Sequence, residues 1–233
     1  MKVEMAGLVI DMAVKFPLTQ NALAPYRTDE GRKADIVLAP TGEELAFEQS
    51  GPLPCTDEYA ENIALYRKLC GVLPDFDGFL LHAAAVAVDG KAYLFSALSG
   101  TGKTTHITQW KKLLGDRVTV VNGDKPIIRR IGGVYHVCGT PWAGKEDWNT
   151  PVNVPIAGLC KLTRSKENFL DPMPSAQILP LILNQTVRPD EPARMIRLLD
   201  LIDGFVKSVP CYLLGCNISV DAARVSFDGM RPQ

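Results

Sequence analysis

The sequence predicts a mixed α/β fold: a main domain over residues 76–233 built around a mixed sheet, with a small α/β subdomain over residues 1–75 attached to it. Three observations predict it. Hairpin signals, Asp89-Gly90 and Gly132-Gly133, sit inside strand-rich stretches, which a purely alternating parallel sheet would not contain. Segments with helical periodicity fall between those strands. The chain also changes texture near residue 75, from short proline-broken runs to long apolar ones.

In the first 75 residues, 6–14 and 36–38 read as short strands, with Pro17, Pro25 and Pro40 between and after them and further breaks at Pro52 and Pro54. Thr56 is placed to cap a helix whose first turn carries Asp57 and Glu58. Tyr59, Ile63, Tyr66 and Cys70 recur at helical intervals along it, and Gly71 is its expected stop. No chemistry shows in this part.

The pattern sharpens from Gly78. Residues 80–88 read as one buried strand, Asp89-Gly90 as a two-residue turn and 91–97 as the return strand. A glycine-containing loop leads into a helix over 103–114, with Ile107, Trp110 and Leu114 on one face and Gly115 at its end. Residues 118–121 form a strand that ends at Asn122-Gly123-Asp124, and 127–131 and 134–138 flank the Gly132-Gly133 turn. The stretch 141–155 reads as a loop and 156–162 as a strand. A short helix over 175–184 contains Pro180, which should kink or split it. Asp190 and Pro192 open a long helix with a stripe of Met195, Leu198, Leu199, Ile202, Phe205 and Val209. Residues 211–214 make a late strand, and Ser219 begins a terminal helix.

Composition narrows the function. With 25 basic and 26 acidic residues the net charge is −1, so nothing global favours a nucleic-acid partner. The most apolar run, residues 79–88, is half the ~20 residues that a membrane-crossing helix needs, and it contains His82. No membrane partner and no signal peptide are expected. The six cysteines form no C-x-x-C pair, and most sit in apolar runs; the reading is buried free thiols in a reducing cytoplasm, with a metal site or disulfides as the alternative.

The most informative residues are Ser99-Gly100-Thr101-Gly102-Lys103-Thr104-Thr105. Apart from Ala97 in the first glycine position, residues 97–104 fit the G-x-x-x-x-G-K-[ST] pattern, a Walker A phosphate loop. Successive backbone N–H groups must turn into one concavity to hold phosphate oxygens, and Gly100 and Gly102 permit that backbone. The helix start adds its positive dipole end. The Lys103 ammonium can reach the β- and γ-phosphates, and the Thr104 hydroxyl can ligate Mg²⁺ (or Mn²⁺). Asp124, at the end of the following strand, suits a second metal contact. His82 lies in an apolar strand, as a core histidine would, yet the hairpin brings its strand beside the loop.

Together these residues resemble the kinase domain of HPr kinase/phosphorylase and the nucleotide core of ATP-dependent phosphoenolpyruvate carboxykinase. The loop from Leu98 to Thr105 is similar to the carboxykinase loop, and Leu81-His82-Ala83 before a hairpin is similar to the kinase arrangement, with Ala83 where the kinases carry glycine. The phrases Phe79-Leu80-Leu81-His82, Gly102-Lys103-Thr104-Thr105-His106, Asp124-Lys125-Pro126 and Gly139-Thr140-Pro141-Trp142 resemble small HPr-kinase-related bacterial proteins, from about residue 59 onward. The resemblance implies a P-loop fold with a mixed sheet, ATP, a divalent metal, phosphoryl transfer and a homo-oligomer. It places His82 at the phosphates and the segment 140–145, with Thr140, Trp142 and Lys145, at the mouth of the site. Arg188 is a candidate for neutralising charge on the transferred group.

The family pattern has two adjacent aspartates where this chain reads Gly123-Asp124. The first is the one taken to act as base toward the acceptor hydroxyl, and glycine cannot replace it. Asp147, Glu146 or His82 could serve instead. The expectation is a kinase for a hydroxyl of a small molecule or of a peptide or protein serine. The alternatives are a nucleotide-binding sensor without turnover, and a phosphorylase running the reverse transfer.

Overall fold

A computed structural model describes residues 1–51, 55–98 and 100–231; Pro52, Pro54 and Ser99 lie outside the described residues. Lys2–Met5 (β1) and Leu8–Met12 (β2) form a hairpin closed by Ala6 and Gly7, both at positive φ (55° and 71°). The strand expected over 6–14 therefore begins only at Leu8, because Ala6 and Gly7 supply the twist of a tight hairpin turn, and the strand before that turn was not anticipated. Pro17–Leu23 (α1) leads to Ile36–Leu38 (β3), which adds parallel to β2. Gly42–Gln49 (α2) starts with a capping box between Thr41 and Glu44 that was not anticipated.

Asp57–Val72 (α3) is capped by Thr56, whose hydroxyl accepts from the Tyr59 N–H at 3.3 Å. Its buried face is set by Ala60, Ala64, Leu65 and Leu69, while Tyr59 is exposed. The stripe is rotated from the expected one: Leu65 and Leu69 enter the core formed with the first strands, and of the expected residues Cys70 is buried and Tyr66 packs against that core. Gly71 lies within the helix, and the chain tightens into a 3-10 turn after Val72.

The expected strand over 80–88 is broken. Gly78–Leu80 (β4) and Ala84–Val88 (β5) are separate, with Leu81-His82-Ala83 between them. Asp89 and Gly90, at φ 51° and 74°, turn β5 into Lys91–Ser96 (β6). Lys103–Leu114 (α4) follows the glycine-rich loop and ends at Gly115. Thr119–Asn122 (β7), Ile127–Ile131 (β8) and Val134–Cys138 (β9) come next.

Asn153–Arg164 (β10) is longer than predicted, and it joins two parts of the sheet. Its first residues pair antiparallel with β9, and the remainder runs parallel to β6. Phe169–Pro172 (β11) pairs with Cys211–Cys216 (β12), which lies parallel to β10. The strand order is β4-β8-β9-β10-β6-β5-β7, with β12 on β10 and β11 on β12. Ser175–Asn184 (α5) continues through Pro180 as one helix. Pro192–Ser208 (α6) has Glu191, not Asp190, at its N-cap, and it buries Leu198, Leu201, Ile202, Phe205 and Val206. Val220–Met230 (α7) is capped by Ser219.

Helices cover both faces of the larger sheet. Leu198, Ile202 and Phe205 of α6 pack with Leu81, Leu94 and Leu159, and Trp110 of α4 packs with Tyr93, Phe95 and Phe227. A third cluster joins the first strands and α3 to Ile127, Cys138 and Trp142. All six cysteines are free. Among the described residues no helix is long and apolar enough to cross a membrane.

Candidate functional site

The site is built where three chain breaks meet at the end of β6. The first is the glycine-rich loop. Ala97 is buried behind it, Leu98 is exposed, and Gly100 and Gly102 hold φ of 76° and 122°. Gly102 is the N-cap of α4 and brings no side-chain acceptor, and the first turn has no acidic residue. The leading N–H groups of α4 thus carry no side-chain cap, with the positive end of the helix dipole behind them. Lys103 folds back over the loop and donates to the Ala97 carbonyl at 3.3 Å. Burial pulls the Lys103 ammonium below its ordinary range; the Asp124 charge opposes that shift and Lys125 adds to it. Asp124 therefore acts electrostatically on the loop lysine.

The second break is Leu81-His82-Ala83. The His82 N–H donates to the Gln185 carbonyl at 2.7 Å, and the His82 carbonyl accepts from the Ser96 hydroxyl at 3.0 Å. The Leu81 and Ala83 N–H groups donate to the Pro126 and Asp124 carbonyls at 3.2 and 3.0 Å. Strand pairing is given up here because these amides bond to a neighbouring loop, which turns the His82 ring out of the core.

The third break follows β7. Asn122 is fully buried, and its side-chain oxygen accepts from the Asp124 and Lys125 N–H groups at 2.8 and 2.7 Å. Its amide donates to the Thr140 carbonyl and hydroxyl oxygens at 2.9 and 3.0 Å. That frame aims Asp124. His82 Nε2 lies 2.8 Å from one Asp124 carboxylate oxygen, and Lys125 pairs with the other. Burial alone would raise the Asp124 carboxyl, but hydrogen bonds from His82 and Lys125, with the Lys125 charge beside it, hold it well below the usual carboxylate range. Asp124 is thus a fixed, ionised carboxylate.

Gly123 has a packing reason of its own. A Cβ placed there would sit 2.8 Å from the Ala143 carbonyl oxygen, with the Trp148 carbonyl oxygen at 3.5 Å. The Gly123 N–H donates to that Trp148 carbonyl at 2.8 Å. The segment 143–148 is laid directly across Gly123.

That segment separates the remaining candidates. Thr140 is fully buried, and its hydroxyl donates to the Lys125 carbonyl at 2.7 Å, so it positions the Asp124 loop from below. Trp142 is packed edge-on to Tyr66 at 5.4 Å between centroids and donates from Nε1 to Asn62 at 3.1 Å. Both side chains are committed inside the protein and do not stand at a mouth. Lys145 is exposed, one residue beyond Gly144, whose added Cβ would lie 3.1 Å from the Asp124 Cβ. Arg188 is exposed three residues past the Gln185 carbonyl that holds His82, with no ion pair to a described residue. Glu146 and Asp147 are exposed, and Asp147 bonds to Asn149. Only His82, of the three substitute bases, touches Asp124. Ser99 lies outside the described residues.

Three contributors escaped the sequence reading. Lys125 neutralises Asp124, Asn122 aims it, and Arg164 at the end of β10 donates to the Gly100 carbonyl at 2.6 Å. The Asn-Gly-Asp turn was legible as a turn, but nothing in it signalled a buried asparagine frame. Arg164 is 64 residues from its partner, and no local pattern reports that contact.

Among the described residues no group of three His, Cys, Asp or Glu side chains could hold a metal by itself. One ionised carboxylate, Asp124, and one hydroxyl at the start of α4, Thr104, are the donor set that Mg²⁺ uses when phosphates and water complete its shell. The residues therefore fit a metal carried in with a nucleotide. A larger hollow of about 810 Å³ lies between α2, α3 and the Pro189–Arg194 segment. Its cations are already paired: Arg67 with Glu48, Lys68 with Glu44 and Arg194 with Glu191.

No protein-family model matches the chain, and no curated protein matches it. Among solved structures, the Hpr(Ser) kinase/phosphatase from Coxiella burnetii aligns with 10% identity and a TM-score of 0.38. The alignment covers 64% of this chain and 95% of that one. At that score it adds no weight to what the chain's own residues carry.

Proposed function

We propose that the chain is an ATP-dependent phosphotransferase that uses Mg²⁺ (or Mn²⁺) and acts on a hydroxyl acceptor, a small molecule or a peptide or protein serine. The observation that supports this most is the meeting of the Walker A loop with an ionised Asp124 that bonds His82 at 2.8 Å and acts on Lys103. The loop amides and Lys103 bind and orient the phosphates. Thr104 and Asp124 would hold the metal, which when bound neutralises charge on the phosphates. Asp124 accepts at His82 Nε2, so Nδ1 is the ring nitrogen left for the acceptor proton. A carboxylate that fixes the tautomer of an imidazole is a recurrent way to prepare a base. Lys145 and Arg188 carry charge to the rim, where an acceptor or the transferred phosphoryl group would sit.

A second reading has a specific observation behind it. Gly123 leaves the base position without a carboxylate, and the Ala143 carbonyl fills that space. On this reading the chain binds nucleotide as a sensor and does not turn it over. Incubation with γ-labelled ATP, Mg²⁺ and cell extract separated into protein and metabolite fractions decides between them. Label moved to an acceptor by the parent, and lost in Lys103→Ala and His82→Gln, supports the transferase. Metal-dependent ATP binding with no label moved in any fraction rejects it in favour of the sensor.

A further inference from the structure

We propose that Lys125 is a second cation for the phosphates, held on Asp124 until that carboxylate turns to a divalent metal and then passed to the phosphate oxygens. The proposal rests on the phosphate-loop reading and adds to it a ligand-binding residue and an exchange of partners.

Both oxygens of the Asp124 carboxylate are in use. His82 Nε2 lies 2.8 Å from Oδ1, and the Lys125 ammonium pairs with Oδ2. A carboxylate that takes up a metal must give up or crowd one of these partners. His82 is the fixed one: its N–H is bonded to the Gln185 carbonyl at 2.7 Å and its carbonyl to the Ser96 hydroxyl at 3.0 Å, so the ring hangs from a backbone held on both sides. Lys125 is the movable one. Its side chain is 35% exposed, and Asp124 is the one acceptor for Nζ among the described residues. The ammonium ends a flexible four-carbon stem, and beside a divalent cation on the same oxygen it is repelled at contact distance.

The backbone of Lys125 does not follow. Its N–H donates to the Asn122 side-chain oxygen at 2.7 Å, and its carbonyl accepts from the buried Thr140 hydroxyl at 2.7 Å. Pro126, with its fixed φ, comes next. The ammonium therefore swings about a Cα anchored beside the metal-binding carboxylate, where a nucleotide's phosphates would meet it. The loop lysine is in electrostatic reach, since the Lys125 charge helps pull the Lys103 ammonium below its ordinary range. Two like charges that disfavour one another are both stabilised by a polyanion set between them. The exchange also keeps the partly buried Asp124 beside a counter-charge throughout, first the ammonium and then the metal.

Two titrations read the two halves of the exchange: Mn²⁺ alone, followed by its paramagnetic resonance signal, and Mg²⁺-tripolyphosphate by calorimetry. In Lys125→Met the carboxylate loses its competing cation, so Mn²⁺ should bind about two- to five-fold tighter than in the parent. The same variant should bind Mg²⁺-tripolyphosphate about ten-fold more weakly, because a charged donor to the phosphates is gone. Lys125→Arg keeps a cation on a stem of similar reach and should recover most of the tripolyphosphate affinity. The opposite signs identify the role. Removing a lysine that only neutralises Asp124 would leave both ligands bound as tightly or tighter, and removing one that only supports the fold would weaken both. Mn²⁺ affinity not raised in Lys125→Met, or tripolyphosphate affinity unchanged there, overturns the proposal. No binding of Mg²⁺-tripolyphosphate by the folded parent overturns the phosphate-loop reading itself, and the assignment of Lys125 with it.

Discussion

Replacing Gly123 by alanine tests whether the segment 143–148 really closes over the site. The added Cβ would meet the Ala143 carbonyl oxygen at 2.8 Å, about 0.6 Å inside ordinary contact, which begins near 3.4 Å. The obstacle is backbone, so no rotamer change relieves it. The same segment is tied to residue 123 from its far end by the 2.8 Å bond from the Gly123 N–H to the Trp148 carbonyl. Overpacking of this kind costs about 1–3 kcal/mol. For a chain of this length that lowers Tm by roughly 2–12 °C. Urea denaturation followed by tryptophan fluorescence is well suited, since two of the three tryptophans, Trp142 and Trp148, flank the contact. Gly71→Ala is the control: an added Cβ there meets nothing within 4 Å, and helix propensity predicts a neutral or stabilising change. Gly123→Asp should be destabilised like the alanine variant and gain no turnover, because its carboxylate cannot enter without displacing the segment. A Gly123→Ala variant as stable as the parent, or a Gly123→Asp variant with ten-fold more ATP consumption, would refute the reasoning.

Three further outcomes follow from the same geometry. Asp124 is held below its unfolded value of about 3.9, so its pairing stabilises the fold above that pH and is lost as pH falls through the lower folded value. Asp124→Asn should therefore be about 1–3 kcal/mol less stable than the parent at pH 7, and the gap in denaturation experiments should close below about pH 4. Thr140→Val removes the hydroxyl that bonds the Lys125 carbonyl and Asn122, at a cost of about 1–3 kcal/mol, and should weaken metal-dependent nucleotide binding although Thr140 touches no ligand. Lys145→Ala and Arg188→Ala, both exposed, should melt within about 1 °C of the parent yet raise the acceptor KM about ten-fold or more; unchanged transfer kinetics would remove them from the site.

The parts legible in the sequence were those governed by local chemistry. Thr56 and Ser219 cap helices as read, the Asp89-Gly90 and Gly132-Gly133 turns form, and α4 spans the predicted residues. The misreadings arose where distant contacts outweigh local preference. The run 80–88 is apolar enough for one strand, but bonds from its middle residues to Pro126, Asp124 and Gln185 split it. The stripe of α3 was assigned to Tyr59, Ile63, Tyr66 and Cys70, whereas Leu65 and Leu69 enter the core with the first strands. Pro180 was expected to kink or split α5, and the helix runs through it without splitting. At the site, spacing pointed to Lys103 and Asp124 and the resemblance to His82, and the fold brings the three into electrostatic or direct contact. Gly123 read as a lost carboxylate, and its steric role depends on a carbonyl twenty residues away.

Titration calorimetry of ATP into the parent protein, with and without Mg²⁺, tests the central claim most directly. The account predicts binding that needs the metal, falls at least ten-fold in Lys103→Ala, and falls comparably in Asp124→Asn. Binding of ATP that is indifferent to Mg²⁺ and to both substitutions, or no binding by the folded parent, would contradict it.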